Sequence, residues 1–361
     1  MYGLIFHANL QYAEIPKNEI NKVIEKSYLP TLGKLINNEI PFALNITGFS
    51  LQYLPKNLIS LINDGVASEL IILTGTSYTH AILPLLSLDR IWMQIEKDIM
   101  IKKEIFEFEP QLFWPPELAY DPTLPAILKE FGYKEIFVDG EALLFSQKSM
   151  NTALRETYVP YIKLIEASHG NNPYWNYLRG LPQLKRSLSY VFEGKVFING
   201  VSQITGIPIW QPINITLMLG LGKFPFMNVK KAAKRIKRCK NVMLYGTDLE
   251  FFGYMPFGGK VMKIEDLISF IKDFQFQIVL PTKIKHTKKD FYLKTSSWAP
   301  DKSLRIWDED EDNKRLNFLS TFVDGDDALM AENSDARGWE PIPERRLDAF
   351  KAIYKNWREK K

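Results

Sequence analysis

The chain has 361 residues, 46% of them apolar and 24% charged, with 46 Lys and Arg against 42 Asp and Glu. This balance excludes a disordered chain and supplies no global field aimed at nucleic acid or an anionic membrane. Cys239 is the single cysteine, which excludes an intramolecular disulfide and a cysteine metal cluster.

The sequence opens Met1-Tyr2-Gly3-Leu4-Ile5-Phe6 without a basic leader or a small-residue cleavage site, and no stretch is long and apolar enough to span a bilayer. A soluble cytoplasmic protein with no nucleic-acid and no membrane partner is therefore expected. Leu4 to Phe6 reads as a buried strand that hands over to the polar stretch His7-Ala8-Asn9-Leu10-Gln11-Tyr12. Glu19 to Ile36 carries a helical period, which Pro30 is expected to split in two. Pro41 to Thr47 is the second strand. Leu54 to Asp64 is helical, with Gly65 as its expected stop.

Glu69 to Thr74 is the third strand and leaves through Gly75-Thr76-Ser77-Tyr78-Thr79-His80. A helix over Leu88 to Glu104 leads to the fourth strand, which ends at Trp114-Pro115-Pro116-Glu117. Two prolines cannot continue a ladder, so Glu117 is expected just past a strand end, beside Trp114. Leu124 to Phe131 is helical, and Glu135 to Asp139 is the fifth strand. The sixth is either Tyr161 to Ile165 or Val196 to Ile198, with an aromatic-rich helix over Tyr174 to Val191 between them. The basic helix Lys230 to Lys240 precedes the seventh strand, Asn241 to Tyr245, which delivers Gly246-Thr247-Asp248-Leu249-Glu250. Ile264 to Phe274 is helical, Pro281 to Asn313 reads as charged loop, and Glu344 to Trp357 as a last amphipathic helix.

Strand, polar loop and helix alternate, so the fold class is α/β with a parallel sheet whose active face lies at the strand C-termini. The count is about seven strands, one short of a closed eight-stranded barrel. Residues 1–280 are read as the barrel and 281–361 as a C-terminal helical and loop extension packed on it and completing the cleft.

Glu117 and Asp248 are thus two carboxylates at two strand ends, with His7, Asn9, His80, Asp139 and Glu250 as neighbours. A carboxylate pair across a cleft suits glycoside hydrolysis, one group attacking or stabilising the anomeric carbon and the other protonating the leaving oxygen. Physics alone leaves open which is which. It also leaves open Glu117 as a surface loop residue with Trp114 as core, and His7 and His80 as cap or core histidines. A metal site drawing on His7, His80 and Asp139 or Asp248 is a further alternative. The run Lys230, Lys231, Lys234, Arg235, Lys237, Arg238, Lys240 reads as the solvated face of an outer helix. Gly220-Leu221-Gly222 lacks a third glycine for a dinucleotide site, and the acidic run Asp308 to Asp312 lacks calcium-loop spacing.

Taken together, Trp114-Pro115-Pro116-Glu117, Tyr245-Gly246-Thr247-Asp248-Leu249-Glu250 and Thr79-His80 with Leu83-Pro84-Leu85 resemble glycoside hydrolase family 57. The resemblance implies an incomplete (β/α)7 barrel and a retaining enzyme of α-glycosidic bonds that needs no metal and no cofactor. Glu117 would be the nucleophile and Asp248 the general acid/base. Asn9 departs from the family pattern, standing where a second histidine is usual, and is expected to face the sugar. The form His7 to Pro16, the short chain and the segment Asn333 to Trp339 look most like the archaeal α-galactosidase branch. An α-galactoside or other oligosaccharide is the expected substrate, contacted by His7, Asn9, His80, Trp114, Asp139, Glu250, Trp298, Asp335 and Trp339. The alternatives are an α-amylase or 4-α-glucanotransferase of the same family, a metal-dependent carbohydrate deacetylase, and a non-catalytic carbohydrate-binding barrel.

Overall fold

The computed structural model describes residues 1–147, 184–199, 204–224, 226–299, 301–338 and 341–361. Strand β1, Tyr2–Ala8, is buried along its whole length, as is β2, Phe42–Ile46. Unbroken apolar runs are what strands covered on both faces require. β1 pairs in parallel with β2, bringing His7 opposite Asn45, and on its other side with β8, Val242–Asp248, bringing His7 opposite Asp248. β2 continues the sheet into β3, Ile71–Leu73.

Beyond β3 the chain reaches β4, Leu112–Phe113, through a parallel bridge of Gly75 to Phe113. Gly75 N–H donates to the Leu112 carbonyl at 2.9 Å, and Trp114 N–H to that of Gly75 at 2.8 Å. A Cβ on Gly75 would lie 1.8 Å from the Tyr133 hydroxyl, so only glycine allows this approach. β4 pairs in parallel with β5, Glu135–Asp139, and β5 with β7, Thr205–Ile209. Among the described residues, seven parallel strands therefore follow one another in the order β8-β1-β2-β3-β4-β5-β7. β6, Lys195–Ile198, lies antiparallel against β7, and β11, His286–Phe291, is parallel to β6. A short ribbon, β9 Pro256–Phe257 with β10 Lys260–Val261, stands apart.

No ladder joins β7 to β8 among the described residues. At that seam the Asn214 side chain, from the helix Gln211–Leu221 that follows β7, donates to the Gly246 carbonyl at 3.0 Å and accepts from the Gly246 N–H at 3.0 Å. One amide thus satisfies two backbone groups that a neighbouring strand would otherwise pair.

Beneath the strand ends, Asp98 and Lys102 form an ion pair of 2.7 Å with both side chains fully buried. Asp98 also accepts from Gly48 N–H at 2.8 Å and Thr76 N–H at 3.0 Å, while Lys102 donates to the Thr74 carbonyl at 2.8 Å. Both ions are hydrogen-bonded several times over, which offsets their desolvation. The pair ties the exits of β2 and β3 to the helix Leu88–Ile105.

The structure corrects several expectations. Val196 to Ile198 is a strand, but antiparallel; the parallel place between β5 and β8 belongs to β7, and Tyr161 to Ile165 lies outside the described residues, as does most of Tyr174 to Val191. Pro30 does not break its helix. The helical run Ile20–Val23 widens into a π turn over Ile24–Tyr28 and continues as Leu29–Asn37, so the ring of Pro30 and its missing donor are taken up by the wider turn just before it. Gly65 is no stop, since its helix runs Lys56–Ala67; a Cβ there would come 2.5 Å from Ile71. Pro281 to Asn313 holds β11 and the start of the helix Glu311–Ser320. The basic helix, Val229–Ile236, buries Ala232, Ala233 and Ile236 and exposes Lys230, Lys231 and Lys234, as expected of a solvated face.

Candidate active site

Glu117 leaves β4 after Pro115 and Pro116 with φ +56°, and Leu118 follows with φ +47°. Each left-handed non-glycine residue costs on the order of 1–3 kcal/mol, so the surroundings must hold the turn. Leu118 and Ala119 N–H donate to the Pro115 and Pro116 carbonyls, and Trp298 N–H donates to the Glu117 carbonyl at 3.0 Å. Trp298 also gives its indole N–H to Glu117 Oε2. The other oxygen, Oε1, lies 3.9 Å from His80 Nδ1, and the carboxylate retains 16% exposure.

His80 itself has φ +62° and is buried. Its Nδ1 is 2.9 Å from Ser334 Oγ and 3.2 Å from Asp335 Oδ2. His7 stacks between His80, at 4.7 Å between ring centres, and Trp114, at 5.6 Å. His7 Nδ1 meets Asn45 Oδ1 at 2.6 Å, and Asn45 in turn donates to Thr74 Oγ1 at 2.8 Å. The buried Nε2 atoms of both histidines and Nε1 of Trp114 have no partner among the described residues. Three stacked rings thus line the site with unsatisfied polar atoms, which a polyhydroxylated ligand can pair.

Asp248 closes β8 half-buried. Tyr12 OH donates to its Oδ2 at 3.3 Å, and Tyr245 OH to its carbonyl at 2.6 Å. Burial raises both carboxylates, but the groups around them differ. Burial pushes Asp248 well above the usual carboxylate range, and negative Glu250, Glu117 and Glu14 push it further, with only the Tyr12 bond opposing. Burial also raises Glu117, and Asp335 adds to that; the His80 ring and the Trp298 indole offset only part of it, so Glu117 too stays above the ordinary carboxylate range, with opposing groups that Asp248 lacks. For His80, burial lowers the pKa, yet Asp335, Glu117 and Glu250 together carry it above the ordinary value. His7 is held neutral by burial and by its neighbour His80.

Three expected sugar contacts take other places. Asn9 is fully buried with its amide engaged at both ends: Nδ2 donates to Asp335 Oδ2 at 2.6 Å, and Oδ1 accepts from Gln11 N–H at 3.0 Å. Both ends of the amide are thus held within the protein, at the loop after β1. Glu250, also fully buried, accepts from Asn9 N–H at 3.0 Å and from Tyr28 OH, and burial lifts it to about 7. Asp139 caps the helix Gly140–Phe145 through Ala142 N–H at 2.7 Å and pairs with Lys302 at 3.0 Å. Lys302 donates as well to the Trp298 carbonyl at 3.2 Å, so Asp139 anchors the segment that carries Trp298. His80 and Trp298 lie against Glu117, and His7 and Trp114 stack on from His80. Asp335 is buried beside them, and Trp339 lies outside the described residues.

Sequence reading missed Tyr12, Asn45 and Lys302. Tyr12 stands in the polar exit of β1 and Asn45 is the one polar side chain in an apolar strand, so both carried a signal; Lys302, in a charged loop, carried none. Among the described residues the expected metal set of His7, His80 and Asp139 or Asp248 does not come together, and Asp139 is paired with Lys302. Instead His80, Glu117 and Asp335 place one possible ligand atom each within 4.8 Å of one another. Hydrogen bonds already engage Asp335 and His80 Nδ1, and a cation would have to displace them.

With this geometry in hand, the profile described as Glycosyl hydrolase family 57 matches residues 4–294. The chain belongs to this family. A stretch of 146 residues, 38% of the chain, is 31% identical to a Methanocaldococcus jannaschii protein named "Putative alpha-amylase" and covers 31% of it. The 4-alpha-glucanotransferase of Thermococcus litoralis has a similar fold, with a TM-score of 0.67 at 14% identity, over 99% of this chain and 59% of that one. The GH57-type branching enzyme of Pyrococcus horikoshii superposes with a TM-score of 0.62 at 13% identity, over 99% and 88% of the two chains. The chain spans under a third of the curated relative and about three-fifths of the glucanotransferase. The family 57 fold seen in these structures is α/β, as is this one.

Proposed function

We propose that this family 57 chain is a retaining glycoside hydrolase or transferase that cleaves α-glycosidic bonds of an α-glucan by double displacement. The observation that carries the mechanism is the different surroundings of Glu117 and Asp248. Asp248, crowded by other carboxylates, keeps its proton and gives it to the glycosidic oxygen. Glu117, facing an imidazole and an indole donor, is the ionised group that attacks the anomeric carbon. The bond to the leaving oxygen breaks as the ester to Glu117 forms. Asp248, now a carboxylate, takes a proton from water or an acceptor hydroxyl, whose oxygen displaces Glu117. The unpartnered nitrogens of His7, His80 and Trp114 bind hydroxyls of the reacting sugar.

The seven parallel strands are read as an incomplete (β/α)7 barrel, open at the β7–β8 seam that Asn214 spans. Residues 281–361 extend it and bring Trp298, Lys302 and Asp335 to the cleft. The α-glucan reading is supported by the names of the similar proteins, an amylase, a glucanotransferase and a branching enzyme. α-Galactosidase, the expectation from sequence, is the second reading; it rests on the form His7 to Pro16, with Asn9 in place of the usual histidine, and on the segment Asn333 to Trp339. With the Asn9 amide held by Asp335, that position shapes the pocket only indirectly, which weakens the galactoside reading. Parallel kinetics on a maltooligosaccharide, an aryl α-glucoside and an aryl α-galactoside test the choice. The maltooligosaccharide should give the highest kcat/KM, and a clear preference for the galactoside would restore the second reading.

A further inference from the structure

We infer that Tyr12 is the positioning residue of Asp248, its hydroxyl taking one carboxyl oxygen and leaving the other for the glycosidic bond, and that Arg345 holds the loop that carries Tyr12. This rests on Asp248 being the acid/base of the proposed reaction.

β1 and β8 end side by side, with His7 opposite Asp248, so the loop after β1 begins next to the acid. Tyr12 lies half-buried on this loop and donates to Asp248 Oδ2 at 3.3 Å, the one hydrogen bond to that side chain among the described residues. Burial and the carboxylates of Asp248, Glu14, Glu117 and Asp335 keep the phenol protonated, so it is a donor. The two oxygens of a carboxyl group are alike until a neighbour distinguishes them. A C=O oxygen accepts better than an O–H oxygen, so a donor on Oδ2 puts the proton of the acid on Oδ1. That proton passes to the glycosidic oxygen as its bond to the anomeric carbon breaks, and the Tyr12 hydroxyl then meets the charge left on the carboxylate.

The loop is fixed from the other end of the chain. Arg345, 4% exposed, stands in the first turn of the helix Pro343–Glu359. Its Nη2 donates to the Leu10 carbonyl at 2.9 Å and to the Ile15 carbonyl at 2.6 Å, so one guanidinium closes both ends of the loop. Between these anchors Ala13 is bonded on both sides: its N–H donates to Asp335 Oδ1 at 3.1 Å, and its carbonyl accepts from Ile342 N–H at 3.1 Å. Tyr12 N–H donates to the Asn9 carbonyl at 3.1 Å, and the Tyr12 carbonyl accepts from Ile15 N–H at 3.0 Å.

Two roles are open to such a clamp, and they differ in what they touch. A loop that only closes the fold would, when loosened, affect every substrate alike. A loop that sets the proton donor affects the substrates that need one. Glu117 takes its bonds from Trp298, through both backbone and indole, and none from this loop. The nucleophile therefore keeps its aim when the Tyr12 hydroxyl is removed.

Two substrates that differ in their need for acid test this in the full-length chain. Tyr12→Phe should lower kcat/KM for a maltooligosaccharide by roughly 10-fold, as for one lost hydrogen bond to a charged group, and lower kcat/KM for an α-glucosyl fluoride far less. Arg345→Met should move the ratio of the two in the same direction, Arg345→Lys less, and Tyr12→Phe combined with Arg345→Met no further than Tyr12→Phe alone. The ratio does not depend on the fraction of enzyme that is folded. Equal losses on both substrates in Tyr12→Phe, or a double variant whose effects multiply, overturn the inference. If Arg345→Met does not fold, Arg345→Lys takes its place. Hydrogen exchange at the Tyr12, Ala13 and Ile15 amides should quicken in Arg345→Lys, and unchanged exchange overturns the part given to Arg345. An unmodified chain that releases fluoride from neither the α-glucosyl nor the α-galactosyl compound fails the proposed reaction and takes the inference with it. Fluoride release with an unmoved ratio in Tyr12→Phe fails the inference alone.

Discussion

Trp298 is bound to Glu117 twice: its backbone N–H donates to the Glu117 carbonyl at 3.0 Å, and its indole N–H donates to the Glu117 carboxylate. The first bond holds a left-handed backbone, and the second aims the side chain it carries. A hydrogen bond to a charged group is worth about 1.5–3 kcal/mol, or roughly 10- to 100-fold in rate if it is kept through the transition state. Trp298→Phe retains the backbone bond and loses only the indole donor. It should lower kcat/KM by about that factor and move the acidic limb to higher pH, because the donor favours ionised Glu117. An unchanged pH profile would show that the indole serves packing alone.

Glu250 governs the other limb. After burial, its charge is the largest influence raising Asp248. Glu250→Gln keeps an acceptor for Asn9 N–H and Tyr28 OH but removes the charge. Asp248 should then lose its proton at lower pH, and the basic limb of kcat/KM should move down while the acidic limb stays. A basic limb that does not move would assign it to a group other than Asp248.

The buried pair beneath the site should matter for stability. Lys102→Met leaves Asp98 charged, buried and without its cation, and breaking such a pair costs about 3–5 kcal/mol. Urea unfolding of the variant should show a loss of this size. A loss below about 1 kcal/mol, the range of exposed pairs, would mean that solvent reaches Asp98.

Much of this architecture could be read from sequence where one segment carries its own signal. β1, β2 and β5 are apolar runs with polar exits, and Glu117 follows two prolines that end a ladder. β7 escaped notice because Thr205-Gly206-Ile207-Pro208-Ile209 holds two residues that usually weaken strands. Gly206 is needed because a Cβ would lie 2.2 Å from Ile198, and Pro208 sits opposite Val138, beyond the two residues that pair with β6. The same limit applies at the site. Asn9, His80 and Asp335 are each legible as polar residues in loops, but their joint role depends on contacts between the two ends of the chain, which no local period encodes. Asp139 is legible at its strand end, but its pairing with Lys302 is not, because Lys302 comes from a stretch without regular pattern.

Two working carboxylates need no Lewis acid. Dialysis against a chelator should leave kcat/KM unchanged; loss of activity restored by zinc would move the chemistry to the His80, Glu117 and Asp335 group.

The central claim is that Glu117 forms a bond to sugar while Asp248 manages the proton. Asp248→Ala should still react with an α-glycosyl fluoride, whose leaving group needs no acid, but should turn over slowly because no base activates water. Mass spectrometry of the protein quenched during turnover should find one added hexosyl group, on the peptide containing Glu117. Product release without any adduct, or an adduct on another carboxylate, would contradict the account.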